Sequence, residues 1–187
     1  MKVNPLEIPD ILLIEPAVWP DSRGYFFEAF QDAKYAAHGI PVGDFCQDNV
    51  SYSHKGVLRG LHVQNPSPQG KLVQVLSGEI WDVAVDIRED SPSFGKWVAA
   101  TLSGENHHQL WIPGGFAHGF LVTGDHAIVN YKVAGAYSPS SEFTLLFNDP
   151  EVGIQWPELE PILSEKDSAG KTLKQIREAG LTNFMKD

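Results

Sequence analysis

Glycine and proline break this chain at intervals too short for long helices. Seventeen Gly and 13 Pro fall between short segments rich in Val, Ile, Trp, Phe and Tyr, the pattern of strands separated by turns. The clearest unit is Lys71 to Ile87, which reads as two alternating strands joined at Ser77-Gly78, a dipeptide suited to a tight hairpin. In its second arm Trp81, Val83, Val85 and Ile87 share one face, which is assigned to the core, and Asp82, Ala84 and Asp86 share the other.

Further strands are predicted over Gly24 to Phe30, Phe45 to Ser53, Val57 to Gln64, Trp97 to Leu102, Gln109 to Ile112, His118 to Val122, Ala127 to Val133 and Phe143 to Phe147. Turn clusters at Asn65-Pro-Ser-Pro, Ser91-Pro-Ser and Pro113-Gly-Gly separate them at the spacing of a jelly roll or barrel. Helix is confined to Asp32 to His38 and Ser168 to Glu178, the latter carrying Leu173 and Ile176 three apart. The fold class is therefore all-β with short peripheral helices. With 187 residues and no repeat or linker, residues 1–187 are read as a single domain.

Several functional classes drop out on composition. Aliphatic runs such as Ile11 to Ile14 fall far short of the roughly 20 residues of a membrane span. No basic stretch followed by an apolar one opens the chain, so a cytoplasmic location is expected. The lone Cys46 rules out an intrachain disulfide and is expected to be an inert core thiol. Fourteen Lys and Arg against 24 Asp and Glu give a formal charge of -10, which argues against nucleic acid or anionic membrane as a partner. A small anionic ligand stays compatible, provided that a few cations are gathered in one place.

Metal chemistry lacks its ligands. His62 is followed two residues later by Gln64 where a His-x-His pair would need a second imidazole, His118 stands alone after Pro113-Gly-Gly-Phe-Ala, and His107-His108 read as loop residues. No metal and no cofactor are expected.

Three long segments carry a family likeness: Gly56-Val-Leu-Arg-Gly-Leu-His62, Gly70-Lys-Leu-Val-Gln-Val-Leu-Ser-Gly-Glu-Ile-Trp-Asp-Val-Ala-Val-Asp-Ile-Arg88, and Gln109-Leu-Trp-Ile-Pro-Gly-Gly-Phe-Ala-His-Gly-Phe120. Shorter ones are Ser22-Arg-Gly-Tyr-Phe-Phe-Glu28, Gln47-Asp-Asn-Val-Ser51, Tyr131-Lys, Gly153-Ile-Gln-Trp-Pro157 and Ser164-Glu-Lys-Asp167. Together they resemble the dTDP-4-dehydrorhamnose 3,5-epimerase family over most of the chain. The resemblance implies a cupin-type antiparallel jelly roll, a homodimer and no metal. It also implies inversion of C3 and C5 of a dTDP-4-keto-6-deoxy sugar on the route to dTDP-L-rhamnose. Carried over by position, it makes His62 the base, Tyr131 the opposing acid and Asp167 the partner of His62. It places Arg23, Glu28, Gln47, Asp48, Asn49, Arg59, Lys71, His118, Glu142 and Lys166 around the nucleotide sugar, and among these Lys71 is the cation expected to stabilise the enolate. Two departures bear on substrate contacts: Gln74 stands where Arg is common, and Ser141-Glu-Phe-Thr replaces a more polar stretch.

The residue types suit that chemistry. Inversion beside a ketone needs a base on one face and a proton donor on the other. A histidine with a reference pKa near 6.5 accepts a proton around neutrality, a carboxylate on its other nitrogen fixes the tautomer, and a tyrosine near 10 keeps its proton until the enolate takes it. A lysine or histidine aimed at the ketone oxygen stabilises the developing oxyanion. Each residue also has a structural reading. Tyr131, between Val129 and Val133, suits a core; Ser164-Glu-Lys-Asp167 fits a helix capping box; Lys166 suits a solvated surface. Tyr25, Phe26 and Tyr137 suit either core packing or stacking on a pyrimidine.

Arg59 and His62, three apart, would point to opposite faces of a regular strand, so a bulge is predicted near Gly60. Competing readings are a relative that inverts one carbon only, a metal-dependent cupin oxygenase and a non-catalytic sugar-nucleotide binding module.

Overall fold

The computed structural model describes residues 1–184. In chain order its elements are β1 (Lys2–Pro5), β2 (Leu12–Glu15), β3 (Val18–Asp21), β4 (Gly24–Phe27), α1 (Asp32–Ala36), β5 (Phe45–His54), β6 (Leu58–Gln64), β7 (Gly70–Asp86), β8 (Trp97–Ser103), β9 (Gln109–Ile112), β10 (Phe116–Ala134), β11 (Glu142–Thr144), α2 (Glu165–Ser168) and α3 (Leu173–Glu178). Nine strands form one antiparallel network, and β3 pairs with β4 in a separate hairpin.

The predicted hairpin at Ser77-Gly78 does not exist. Residues 70–86 form one 17-residue strand, and β10 likewise runs unbroken for 19 residues where two strands were expected. The two long strands pair along both halves, from Phe116 opposite Asp86 to Ala134 opposite Gly70. At mid-length the register jumps: Val122 faces Ile80 but Ala127 faces Gly78. Gly78 has φ +80°, and a Cβ there would lie 1.8 Å from the carbonyl oxygen of His126. That glycine marks where β10 crosses the bend in β7, not a chain reversal. The local Ser-Gly signal is the same in both cases.

This bend splits the network into two faces of a jelly roll. The second half of β7 carries β8 on one side and the first half of β10 on the other, continuing to β6 and β11. The first half of β7 carries β9, β2 and β1, with the second half of β10 and then β5 opposite. Between the faces lies a cluster including Val73, Val75, Ile80, Ala84, Leu110, Phe120 and Val129. A second cluster backs the first face, where Val83, Val85 and Ile87 meet Leu173 and Ile176 of α3. A third backs the other face, where Leu72 and Trp111 meet Tyr35 of α1. Covered on both sides, β7 therefore buries Asp82 and Asp86 completely, as well as the apolar face that alternation assigned to the core.

Helix ends follow their caps. α3 begins at Leu173, not Ser168, because Thr172 and Gln175 form a reciprocal capping box. Cys46 is exposed, contrary to the core thiol expected: it sits on the outward face of β5, where its Sγ lies 3.3 Å from the carbonyl oxygen of Gly135. Among the described residues no helix is long and apolar enough to cross a membrane.

Candidate active site

The bulge predicted near Gly60 is present and decides the site. His118 pairs with His62 and Phe120 pairs with Arg59, so two residues of β6, Gly60 and Leu61, stand opposite the single Gly119. His118 and Phe120, two apart, share a face, and directly paired residues share it with them. Arg59 and His62 are thereby brought to one side of β6, toward the barrel interior. The crossing is as close as glycine permits. Gly60 has φ +116°, and a Cβ on it would lie 2.6 Å from the carbonyl oxygen of His118 and 2.7 Å from the Cα of Gly119.

Two adjoining cavities open here. The inner, about 120 Å³, is lined by Arg59, His62, Lys71, His118, Gly119, Phe120 and Tyr131. The outer, about 310 Å³, shares His62, Lys71 and Tyr131 and adds Gln47, Asn49, Gln69, Tyr137 and Glu142 among others. His62 comes from one face of the jelly roll, and Lys71, Tyr131, Gln47 and Asn49 come from the other. Strand alternation does the selecting: Gln47 and Asn49 point inward on β5, opposite Val133 and Tyr131.

Nε2 of His62 lies 2.6 Å from Oδ1 of Asp167, whose side chain is 6% exposed. That aspartate forms only half of the predicted capping box. Its backbone N–H donates to Oγ of Ser164 at the start of α2, as a cap requires, while its carboxylate turns to His62. Burial raises the Asp167 pKa, but the bond and charge of His62 outweigh it and hold the carboxyl below its usual value.

Lys71 sits deeper. Desolvation pushes its pKa down to about 8, against the opposing pull of Glu142 and Asp82. Asp82 is a residue the sequence reading placed on a strand face and assigned no role. It is wholly buried, accepts from Nε2 of His118 at 2.9 and 3.0 Å, and is pushed up by burial against the pull of His118 and Lys71. The available signal was an acid flanked by Trp81 and Val83 in a segment rich in apolar residues. Glu142 accepts from Lys166 Nζ at 2.7 Å and from the Tyr137 hydroxyl at 3.0 Å; burial raises its pKa, and these partners bring it below the usual value. Tyr137 is carried by a loop that Gln64 holds through the Ala136 carbonyl and the Ser138 N–H.

Four expected contacts are not brought into the cavities of this chain. Asp48 lies on the outward face of β5, paired with Lys132 and Asn130. Arg23 is exposed on the β3–β4 hairpin, bound to Asp21 at 2.6 Å, and Glu28 just beyond the hairpin pairs with Lys34 at 2.6 Å. Lys166 reaches the site only through Glu142. Of the four cations expected to gather there, Arg59 and Lys71 line the cavity. Gln74 faces away, accepting from Gln109 at 3.1 Å, so its departure from Arg does not touch the substrate edge. Tyr25 packs on His107 and Phe26 on Trp19, while Tyr137 lines the outer cavity. Among the described residues no group of three or more His, Cys, Asp or Glu is placed to hold a metal.

The profile of the dTDP-4-dehydrorhamnose 3,5-epimerase family matches residues 5–175. The chain belongs to that family. It is 52% identical over 173 residues to an epimerase of that name from Pseudomonas aeruginosa, covering 91% of this chain and 95% of the relative. It is also 52% identical over 182 residues to one from Neisseria gonorrhoeae, covering 97% of this chain but 55% of that longer relative. A crystal structure of a dTDP-6-deoxy-D-glucose-3,5-epimerase from Legionella pneumophila, in complex with dTDP-4-keto-L-rhamnose, aligns at TM-score 0.93 and 48% identity over 100% of this chain and 99% of that one. Within the epimerase family the jelly roll expected from the sequence is the shared architecture.

Proposed function

We propose that this chain is a cofactor-independent epimerase that inverts C3 and C5 of dTDP-4-dehydro-6-deoxy-D-glucose, giving dTDP-4-dehydro-L-rhamnose. The observation that carries the reading is the meeting of the His62–Asp167 pair, Lys71 and Tyr131 at one cavity. His62 takes the proton from C3, which is acidified by the C4 ketone, and Asp167 holds the resulting imidazolium. The negative charge moves to O4, where the Lys71 ammonium stabilises it with support from His118. Tyr131 returns a proton to the opposite face of C3, and solvent restores both groups. The same cycle then runs at C5. His62 and Tyr131 belong to different faces of the jelly roll, which supports access to a sugar ring from two sides.

Arg59, Gln47, Asn49, Tyr137 and Glu142 bind the nucleotide part, with Lys166 at Glu142 completing the rim. We assign the enzyme to the cytoplasm, as one domain over residues 1–187, working as a homodimer. In support of the dimer, the β3–β4 hairpin pairs with no other strand among the described residues, and Trp19, Tyr25 and Phe26 on it are each more than half exposed. Docked on a second copy, the same hairpin would offer Arg23 and Glu28 to the partner's cavity, which accounts for their distance from their own.

The test is reaction of the keto sugar in deuterated water with product analysis by NMR. Deuterium at both C3 and C5 is expected, and none with His62→Ala. Label at one carbon only would select a single-site epimerase, and full exchange by the His62 variant would end the proposal.

A further inference from the structure

Gln64 ends β6 two residues after His62 and on the same face, at the position where a His-x-His metal pair would carry its second imidazole. It lines the outer cavity with His62 and Tyr137, yet it is 3% exposed. Both ends of its amide are engaged. Nε2 donates to the carbonyl oxygens of Ser67 and, at 3.0 Å, of Ala136, while Oε1 accepts from the N–H of Ser138 at 2.8 Å. These partners fix the orientation of the amide, since a carbonyl only accepts and an N–H only donates.

Two of the three bonds bracket Tyr137. The Ala136 carbonyl belongs to the peptide group before Tyr137 and the Ser138 N–H to the one after it, so one amide holds both planes about which the Tyr137 φ and ψ are defined. The rest of the loop between β10 and β11 is tied close by. Gln64 pairs with Glu142, the Asn65 N–H donates to the Ser141 carbonyl at 3.0 Å, and Nε2 of Gln69 donates to the Gly135 carbonyl at 3.0 Å. The Tyr137 ring has no such support from the core. It is 51% exposed, it joins none of the three apolar clusters, and among the described residues its one side-chain hydrogen bond is the 3.0 Å contact from its hydroxyl to Glu142. Its place at the cavity is therefore set by its backbone, and that backbone is set by Gln64.

We infer that Gln64 is a positioning residue for nucleotide binding, which fixes the peptide planes on both sides of Tyr137 and so sets the ring at the outer cavity before a ligand arrives. The inference rests on the proposed nucleotide-sugar reading and adds a residue that the family likeness does not assign. Order imposed on the loop in advance removes that entropic cost from binding. A glutamine that only stapled the loop would contribute to stability and leave affinity alone. One that acts through the tyrosine matters to affinity only while the tyrosine is there.

The experiment is a double-mutant cycle on dTDP affinity, with calorimetric titration of wild type, Gln64→Met, Tyr137→Ala and the double variant, each below its melting transition. Methionine keeps the length of the side chain and removes the amide. The expected result is about a tenfold weaker Kd for Gln64→Met, shrinking to within about twofold when Tyr137 is already alanine. In turnover, Gln64→Met should raise KM with kcat held within about threefold. Affinity of Gln64→Met within about twofold of wild type overturns the inference, as does an equal loss with and without the Tyr137 ring. Should Gln64→Met fail to fold, Gln69→Ala cuts another tie to the same loop and gives a second cycle against Tyr137→Ala. There, a loss of about threefold or more that vanishes without the ring supports the inference, and no loss, or an equal loss in both backgrounds, overturns it. A wild type with no affinity for dTDP defeats the nucleotide reading and this inference with it. A wild type that binds dTDP yet exchanges no keto sugar defeats the epimerase reading alone, and the cycle still decides the role of Gln64.

Discussion

Asp167, buried at the start of a four-residue helix, lies 2.6 Å from the imidazole of His62, 105 residues earlier in the chain. Replacing it with Asn keeps the shape and the backbone cap but removes the charge that favours the imidazolium and can impose the opposite tautomer. Asp167→Asn is predicted to lower kcat by about 10²–10⁴ with KM little changed. Initial rates at saturating substrate check this, and a loss under fivefold would make the aspartate a cap alone. Because the folded pKa of this carboxyl is lowered, its contribution to stability is present at neutral pH and lost as pH falls through that lowered value.

Lys71 predicts the alkaline side of the pH profile. Its folded pKa is pushed from 10.5 down to about 8, so the ammonium that stabilises O4 disappears through that pH, and kcat should fall above it. The stability sign is the reverse of the usual ion pair. Between about 8 and 10.5 the unfolded chain holds the proton more tightly, so stability gains from this group as pH rises through that window. At pH 7 the buried charge is a burden. Lys71→Met should therefore cut turnover about 10²-fold or more without lowering Tm at pH 7. A clear drop in Tm would mean that the lysine holds the barrel together.

How much of this was legible beforehand depended on the range of the interaction. Alternation and the three-residue spacing of Arg59 and His62 are local, and they gave the strands and the bulge at Gly60. The continuity of β7 was hidden, since Ser77-Gly78 suits either a hairpin or a bend, and only His126 crossing above Gly78 decides between them. The resemblance brings Asp48 to the site together with its neighbours Gln47 and Asn49, whereas strand alternation turns this middle residue outward onto Lys132. The Asp82–His118 bond joins residues 36 apart and had no local sign beyond an acid flanked by Trp81 and Val83.

Gly60→Ala tests the bulge. The added methyl group would meet backbone atoms at 2.6 and 2.7 Å, in a conformation L residues rarely adopt. Backbone strain and forced displacement together should destabilise the fold by about 2–4 kcal/mol and shift Arg59 relative to His62. Urea denaturation measures the first and dTDP affinity the second. A variant with wild-type stability would show that β6 needs no glycine there.

Tyr131→Phe separates proton removal from proton return. The phenol is the assigned donor to the face opposite His62, while abstraction by His62 does not need it. In deuterated water the variant should lose inversion by about 10²–10⁴. Deuterium should still enter the unreacted substrate with its configuration kept, because the imidazolium exchanges with solvent and returns a deuteron to the face it came from. Phenylalanine keeps the ring that packs against the inner cluster, so thermal stability should stay within a few degrees of wild type. Configuration at C3 and C5 in the recovered sugar, read by NMR, decides the matter. Inversion at the wild-type rate would remove Tyr131 from the chemistry and return it to the core, the role its position between Val129 and Val133 first suggested.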